Sequence, residues 1–162
     1  MRTLIFGYGN YDRQDDGAAW HVISLLRKAL SIPDHETIDD DFISDDDLIF
    51  VFQLQLTPEL AESVAQFDRV CFIDAHTGTV PEDIHYEVLH PSYQHSPLTH
   101  HLTPSSLLSI IQTIYHNVPE SVLVSIRGYS FEFTQSLSTQ TQMLVPLAVN
   151  KIVEWLDKEN KK

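Results

Sequence analysis

Apolar residues occur along the chain in two patterns: short continuous runs, and longer stretches with helical spacing. The short runs predict strands, because apolar runs of about four to eight residues between turn signals are typical of buried strands. They lie at residues 3–6, 48–54, 69–73, 82–89 and 122–126. Helical spacing predicts helices at about residues 16–31, 57–66, 103–115 and 138–156. Because strands and helices alternate, we expect an α/β fold. It would be a three-layer α/β/α sandwich with a mostly parallel, about five-stranded twisted sheet, formed as a single domain over residues 1–162.

Local signals refine these elements. The run at 82–89 alternates apolar and polar residues, which predicts an antiparallel edge strand. Thr57 followed by Pro58 predicts a helix that starts with Thr57 as its N-cap. Pro146 is expected to kink or delay the last helix. The helix predicted at 103–115 is expected to have Ile114 and Tyr115 on its inner face, and the last helix is expected to include Met143 and Leu147.

The composition is strongly acidic. The chain carries 23 acidic and 10 basic residues, for a formal net charge of −13. This negative charge argues against binding to nucleic acid or to an anionic membrane surface, because both are negatively charged and would repel the protein. The acid-rich stretch 33–47 is expected to be a solvated loop. No oligomeric state follows from the sequence.

The single cysteine bounds the compartment. Cys71 lies in an apolar run, so we expect a buried strand residue rather than a nucleophile. One cysteine excludes a disulfide framework within the chain and favours a reducing compartment. With no apparent signal peptide or membrane-spanning segment, a cytoplasmic location is expected.

The first predicted strand ends in a glycine turn, and two adjacent acids follow it. Gly7 and Gly9 allow a sharp turn and a close backbone approach, and Asp15 and Asp16 precede the first predicted helix. Asp12 stands where a dinucleotide site needs its third glycine, and an acid there would repel a pyrophosphate. The two acids therefore have two interpretations, helix capping or a functional site at the carboxyl end of a strand.

A further acid, Asp74, ends the central predicted strand. Because the carboxyl ends of parallel strands meet at one edge of the sheet, we expect Asp74 to lie near Asp16. His100 and His101 precede a predicted helix in the next loop. Two carboxylates and an imidazole form a reasonable set of ligands for zinc, nickel, manganese or iron. A paired-carboxylate acid/base site is the alternative, and serine hydrolase chemistry lacks its G-x-S-x-G motif.

Three motifs together resemble the hydrogenase maturation protease family. They are G-Y-G-N-x-x-x-x-D-D-G at residues 7–17, F-I-D-A at 72–75 and H-H-L-T-P-x-x-L-L at 100–108. Q-L-T-P-E-L-A-E at 55–62 and G-x-S-F at 128–131 are similar to one branch of that family. The resemblance extends from Arg2 to Trp155.

The resemblance implies an endopeptidase that removes a C-terminal extension from the large-subunit precursor of a nickel-iron hydrogenase after nickel insertion. It implies that nickel, supplied by the substrate, is what the enzyme recognises; another divalent metal could bind the isolated protein. Carried over by position, Asp16 and Asp74 are the catalytic acids and, with His100, the metal ligands. Gly9, Asn10 and His101 are then substrate-binding, and His101 is the adjacent alternative to His100 as a ligand. Whether the metal or a carboxylate breaks the bond stays open.

Two departures from the family pattern keep a second hypothesis in view. Ala19 stands where the family usually has a second glycine after the acid pair, and residues 52–56 replace a segment that resembles G-T-x-G-L. The alternative is a non-catalytic metal-site or assembly protein on the same fold, which would bind a metalloprotein precursor without cutting it.

Overall fold

The computed structural model describes residues 1–33, 42, 46–93 and 101–158. Its centre is a five-stranded sheet in the order β2-β1-β3-β5-β4. The strands are β1 (Thr3–Tyr8), β2 (Leu48–Gln53), β3 (Arg69–His76), β4 (Ile84–Leu89) and β5 (Glu120–Arg127). All neighbours pair in parallel except β4, which is antiparallel to β5 at the sheet edge. The predicted α/β architecture, with its antiparallel edge strand, is confirmed.

Within the described ranges, four α-helices cover the two faces of the sheet. They are α1 (Ala18–Ala29), α2 (Leu60–Val64), α3 (Pro104–Ile114) and α4 (Thr139–Asp157). Side chains alternate along β1, so Ile5 packs toward α1 and α4, whereas Leu4 and Phe6 pack toward α2 and α3. All three side chains are fully buried, and burying an apolar side chain of this size stabilises the fold by about 1.5–3 kcal/mol. The result is the predicted three-layer sandwich.

The start of the first helix differs from the prediction. Residues Gln14–Gly17 form a 3₁₀ turn, and α1 begins only at Ala18. No side chain caps either helix start, so the capping interpretation of the two acids is wrong. Ala19 is fully buried, and a Cβ atom added at Gly7 would lie 3.0 Å from its Cβ. Gly7 therefore makes room for the alanine that replaces the usual glycine.

The caps of the other helices agree only in part with the sequence. Thr103 accepts a hydrogen bond from the backbone N–H of Ser106, and Ser138 caps α4 in the same way. Thr57 does not cap α2, which begins at Leu60, because the Thr57 carbonyl rather than its side chain accepts the Leu60 N–H. The helix α4 continues through Pro146, so the expected delay of its start does not occur.

Several apolar residues of the last two helices are exposed. The buried stripe of α4 follows Thr141, Val145, Ala148, Val149, Ile152 and Trp155 at helical spacing. Met143 and Leu147 lie off this stripe and are 71% and 55% exposed. Ile114 and Tyr115, at the end of α3, are also exposed. The inner face predicted for α3, which included Ile114 and Tyr115, was therefore too wide.

Three other expectations concern particular segments. Cys71 is fully buried, as predicted, and burial raises the pKa of its thiol. Most of the acid-rich stretch 33–47 lies outside the described residues, as does His100. In the described part of the chain, no helix has both the length and the apolar character needed to cross a membrane.

Candidate active site

A cleft of about 210 Å³ opens at the carboxyl ends of β1 and β3. Asp16, Asp74 and His101 all line it, together with Gly9. Three loops that are distant in sequence thus converge at the sheet edge where parallel strands end. Asn10 is beside the cleft, where its backbone N–H binds a carboxylate that lines it. This convergence agrees with the arrangement expected for the two acids.

Asp74 is held by hydroxyl groups from both neighbouring strands. The Tyr8 hydroxyl donates to Asp74 Oδ2 at 2.6 Å, and the Ser125 hydroxyl donates to Oδ1 at 2.5 Å. Burial raises the pKa of Asp74 above its ordinary value, and the charge of Asp16 acts in the same direction. The two hydroxyl donors and His76 oppose this rise. Asp74 is therefore an oriented carboxyl whose proton affinity is increased, as acid/base chemistry requires.

Asp16 is positioned by the glycine turn. The backbone N–H of Asn10 donates to Asp16 Oδ2 at 2.8 Å. Gly9 has a φ of +145°, and a Cβ atom there would lie 2.0 Å from the Asp16 carbonyl oxygen. Only glycine fits such a conformation and approach. The other carboxylate oxygen, Oδ1, accepts no hydrogen bond from the described residues.

The neighbouring acid, Asp15, has a structural role. Its side chain is fully buried and accepts four hydrogen bonds. The donors are the backbone N–H groups of Tyr129, Ser130 and Ser138 and the Ser138 hydroxyl, at 2.6–2.9 Å. Burial acts to raise the pKa of Asp15, but these hydrogen bonds lower it below the ordinary value overall. Asp15 fixes the segment after β5, and Asp16 faces the cleft.

A second cavity, of about 340 Å³, adjoins the first. Both are lined by Tyr8, Asp74, His101 and Leu102. From Asp74 the second cavity extends across β5 to β4, where Leu123, Leu89 and Glu87 line it. The two cavities form one groove, with Asp16 near one end and Glu87 near the other. Such a shape suits an extended polypeptide better than a compact small molecule.

The histidines are placed less completely than the acids. His101 is exposed and lines both cavities, whereas His100 lies outside the described residues. Within the described ranges, no three His, Cys, Asp or Glu side chains are grouped so that they could hold a metal ion. The ligand set expected from the sequence includes His100 and stays a prediction.

Sequence reasoning missed Tyr8 and Ser125 as site residues. Tyr8 belongs to the glycine motif and Ser125 to the last strand, but neither type of residue signals a role by itself. Their signal is the sheet register, because Ser125 pairs with Asp74 across β3 and β5. His76, near Asp74, is held elsewhere: its Nδ1 accepts the Gly78 N–H, and Nε2 donates to the Glu82 carbonyl, each at 3.0 Å.

These features define a class: a three-layer α/β sandwich with a carboxylate-lined groove at the carboxyl edge of its sheet. No family model matches the sequence, and no curated protein sequence is significantly similar to it. Solved structures do match. The hydrogenase maturating endopeptidase HybD from E. coli superposes with a TM-score of 0.71 at 16% identity, over 98% of this chain and 94% of that one.

Two archaeal structures have a similar fold. A hydrogenase 2 maturation peptidase from a Thaumarchaeota archaeon has a TM-score of 0.64 at 19% identity, covering 96% of this chain and 98% of its own. The [NiFe] hydrogenase maturation protease HycI from Thermococcus kodakarensis has a TM-score of 0.61 at 19% identity, covering 99% of this chain and 93% of its own. This chain therefore has the fold of hydrogenase maturation endopeptidases, and the resemblance seen in its motifs extends to the fold.

Proposed function

We propose that this protein is an endopeptidase that removes a C-terminal extension from the large-subunit precursor of a nickel-iron hydrogenase. The observation that carries the proposal is the convergence of Asp16, Asp74 and His101 on one groove. The fold shared with named maturation endopeptidases supports it. The motif resemblance, which covers the same acids, agrees.

The substrate's nickel is the proposed recognition element. Asp16 presents an oxygen without a hydrogen-bond partner among the described residues, and Asp74 lies in the same cleft. Carboxylate oxygen and imidazole nitrogen both suit a nickel ion that substrate side chains already hold in part. Asp16, Asp74 and His100 would complete its coordination. His101, which lines both cavities, would contact the polypeptide or replace His100 as the ligand.

Asp74 is the proposed general base. In its ionised form it would accept a proton from a water molecule as the water oxygen attacks the scissile carbonyl carbon. The same proton would then pass to the departing amide nitrogen as the C–N bond breaks. The products are a new carboxylate on the large subunit and a free amine on the released extension. Tyr8 and Ser125 hold the carboxylate in position for both transfers.

The test is cleavage of a nickel-loaded precursor purified from the same organism, followed by mass spectrometry. We expect the wild-type protein to release one C-terminal peptide, and no release from precursor prepared without nickel. Asp16→Asn and Asp74→Asn should each reduce the rate at least about a hundredfold, the lower range for loss of a positioned acid/base group. Asp157→Asn is the matched control, because Asp157 is an exposed acid at the end of α4, away from the carboxyl ends of the strands. An Asp74→Asn variant that cleaves at the normal rate would exclude the base role.

One observation favours the alternative, a non-catalytic assembly protein. The segment that departs from the family pattern supplies Leu54, Gln55 and Leu56 to the wall of the cleft. The changed residues therefore lie where a substrate would bind. Tight, nickel-dependent binding of the precursor without release of a peptide would support this alternative over the protease.

A further inference from the structure

In the segment after β5, a phenylalanine that adds nothing to the buried core is held in place on the surface. Phe133 is 85% exposed, and its ring lies 4.4 Å from the guanidinium carbon of Arg13. An exposed aromatic ring of this kind gains almost nothing from folding, because its apolar surface stays in water. Its contact with Arg13 is a cation–π pair, which adds only about 0.5–1 kcal/mol at an exposed site.

The segment that carries Phe133 is nonetheless fixed on both sides. Glu132 donates its N–H to the Gln14 side chain, and the Gln14 N–H donates to the Thr134 carbonyl at 2.8 Å. The Gln135 side chain donates to Asp12. Upstream and downstream, the four hydrogen bonds to the buried Asp15 carboxylate anchor the segment. The ring is thus presented in a defined position before any partner arrives.

Arg13 lies three residues before Asp16, which lines the cleft. The Arg13 carbonyl accepts a hydrogen bond from the backbone N–H of Asp16 at 3.1 Å. Arg13, which contacts the Phe133 ring, is therefore hydrogen-bonded directly to an acid of the candidate site. A second aromatic pair, Tyr11 and Trp20, lies in the same loop and helix start, with ring centroids 4.4 Å apart. Aromatic residues and arginine are the types that dominate the binding energy of protein interfaces.

We infer that Phe133 and Arg13 form a docking site for the folded body of the precursor protein. The inference rests on the proposed function and names how the substrate is held. The extension would occupy the groove, and the folded protein from which it emerges would then contact the surface around Arg13 and Phe133, next to Asp16 in the chain. The matching surface on the precursor is an apolar pocket for the ring, bordered by a carbonyl or carboxylate that accepts from Arg13. The described residues give Arg13 no salt bridge of its own.

Steady-state cleavage of the nickel-loaded precursor tests the inference. Phe133→Ala should raise KM at least tenfold and leave kcat unchanged, since the ring contacts only the body of the substrate. Phe133→Trp should restore most of the affinity. Ile114→Ala removes another exposed apolar side chain, 59% exposed at the far end of α3, and should leave KM unchanged. Thermal unfolding of all three variants should match the wild type.

The outcomes separate the two proposals. Wild-type cleavage with an unaltered KM for Phe133→Ala would overturn the docking site and leave the protease intact. An equal rise in KM for Ile114→Ala would also overturn it, because the effect would not be local. If the wild-type protein neither binds nor cleaves the nickel-loaded precursor, the proposed function fails, and the docking site fails with it.

Discussion

The hydroxyl of Tyr8 donates a 2.6 Å hydrogen bond to Asp74 Oδ2 and joins the carboxyl ends of β1 and β3. Burial, and then the charge of Asp74, raise the pKa of Tyr8 well above its ordinary value, so the phenol stays protonated and remains a donor. The bond favours the ionised form of Asp74, against the burial that disfavours it. Tyr8 therefore controls both the orientation and the proton affinity of the proposed base.

Tyr8→Phe removes this donor and keeps the ring. The pKa of Asp74 should rise further, so the acidic limb of the pH–rate profile should move to higher pH. The rate near neutral pH should fall about tenfold, which corresponds to ~1.4 kcal/mol in the barrier. Tyr115→Phe, a partly exposed tyrosine just after α3, is the control. A pH profile identical to that of the wild type would show that Tyr8 does not act through Asp74.

Asp74→Asn should stabilise the protein while it removes activity. The pKa of Asp74 is raised in the folded state, so the folded protein binds this proton more tightly than the unfolded chain does. The resulting contribution to the free energy of unfolding is complete below the unfolded-state pKa and is lost as pH rises through the folded-state pKa. An amide pays no such penalty at neutral pH. Urea unfolding at about pH 7 should show a gain of roughly 0.5–2 kcal/mol, the range of typical stabilising substitutions.

The gain from Asp74→Asn should shrink as pH falls, because the wild-type carboxyl becomes neutral as well. Asp157→Asn, at an exposed position, is the matched control for this series. A variant that is less stable than the wild type at neutral pH would contradict the argument that burial of the charge is costly here.

The convergence of Asp16 and Asp74 could be predicted from the sequence, because each follows or ends a continuous apolar run that indicates a parallel strand. The family resemblance selected Asp16 over Asp15, but the residue pattern alone could not distinguish the roles of the two acids. The hydrogen bonds that decide them come from Tyr129 and Ser138, which lie 114 and 123 residues further along the chain. A local pattern contains no trace of such partners.

The same limit applies to the rest of the groove. Tyr8 and Ser125 reach Asp74 across 66 and 51 residues, through a sheet register that the sequence does not specify. The inner face of α3 was overestimated for a different reason. Ile114 and Tyr115 are apolar, but the core covers only the stripe of α3 that includes Leu107, Leu108 and Ile111. Tertiary geometry, rather than residue type, set the outcome in both cases.

Asp15→Ala should cost about 3 kcal/mol of unfolding free energy or more, because three backbone N–H groups and the Ser138 hydroxyl lose a charged acceptor. Asp12→Ala removes an exposed acid from the same loop as Asp15, with Gln135 as its side-chain partner. It should change the free energy of unfolding by less than about 0.5 kcal/mol. Urea unfolding of both variants near neutral pH provides the comparison.

The pH dependence of the Asp15→Ala variant has a definite sign. The pKa of Asp15 is lowered in the folded state, so its stabilisation is present above the unfolded-state pKa and is lost as pH falls through the folded-state pKa. The difference between wild type and variant should therefore narrow in acid. A difference that stays constant down to about pH 2 would mean that packing, rather than the charge, accounts for the loss.

The two adjacent histidines should separate into a ligand and a substrate contact. His100→Ala removes the ligand expected from the motif, so nickel-dependent binding of the precursor should weaken at least about tenfold, the lower end for loss of one component of a metal site. His101 lines both cavities, so His101→Ala should raise KM for the same precursor while cleavage keeps its dependence on nickel.

Each histidine variant is the control for the other, because each removes one of two imidazoles that are adjacent in the sequence. Calorimetry with nickel-loaded and nickel-free precursor distinguishes the roles, since only a ligand affects the difference between the two affinities. If His101→Ala abolishes that difference and His100→Ala preserves it, the ligand is His101. The metal would then lie over the junction of the two cavities, where Tyr8, Asp74 and His101 meet.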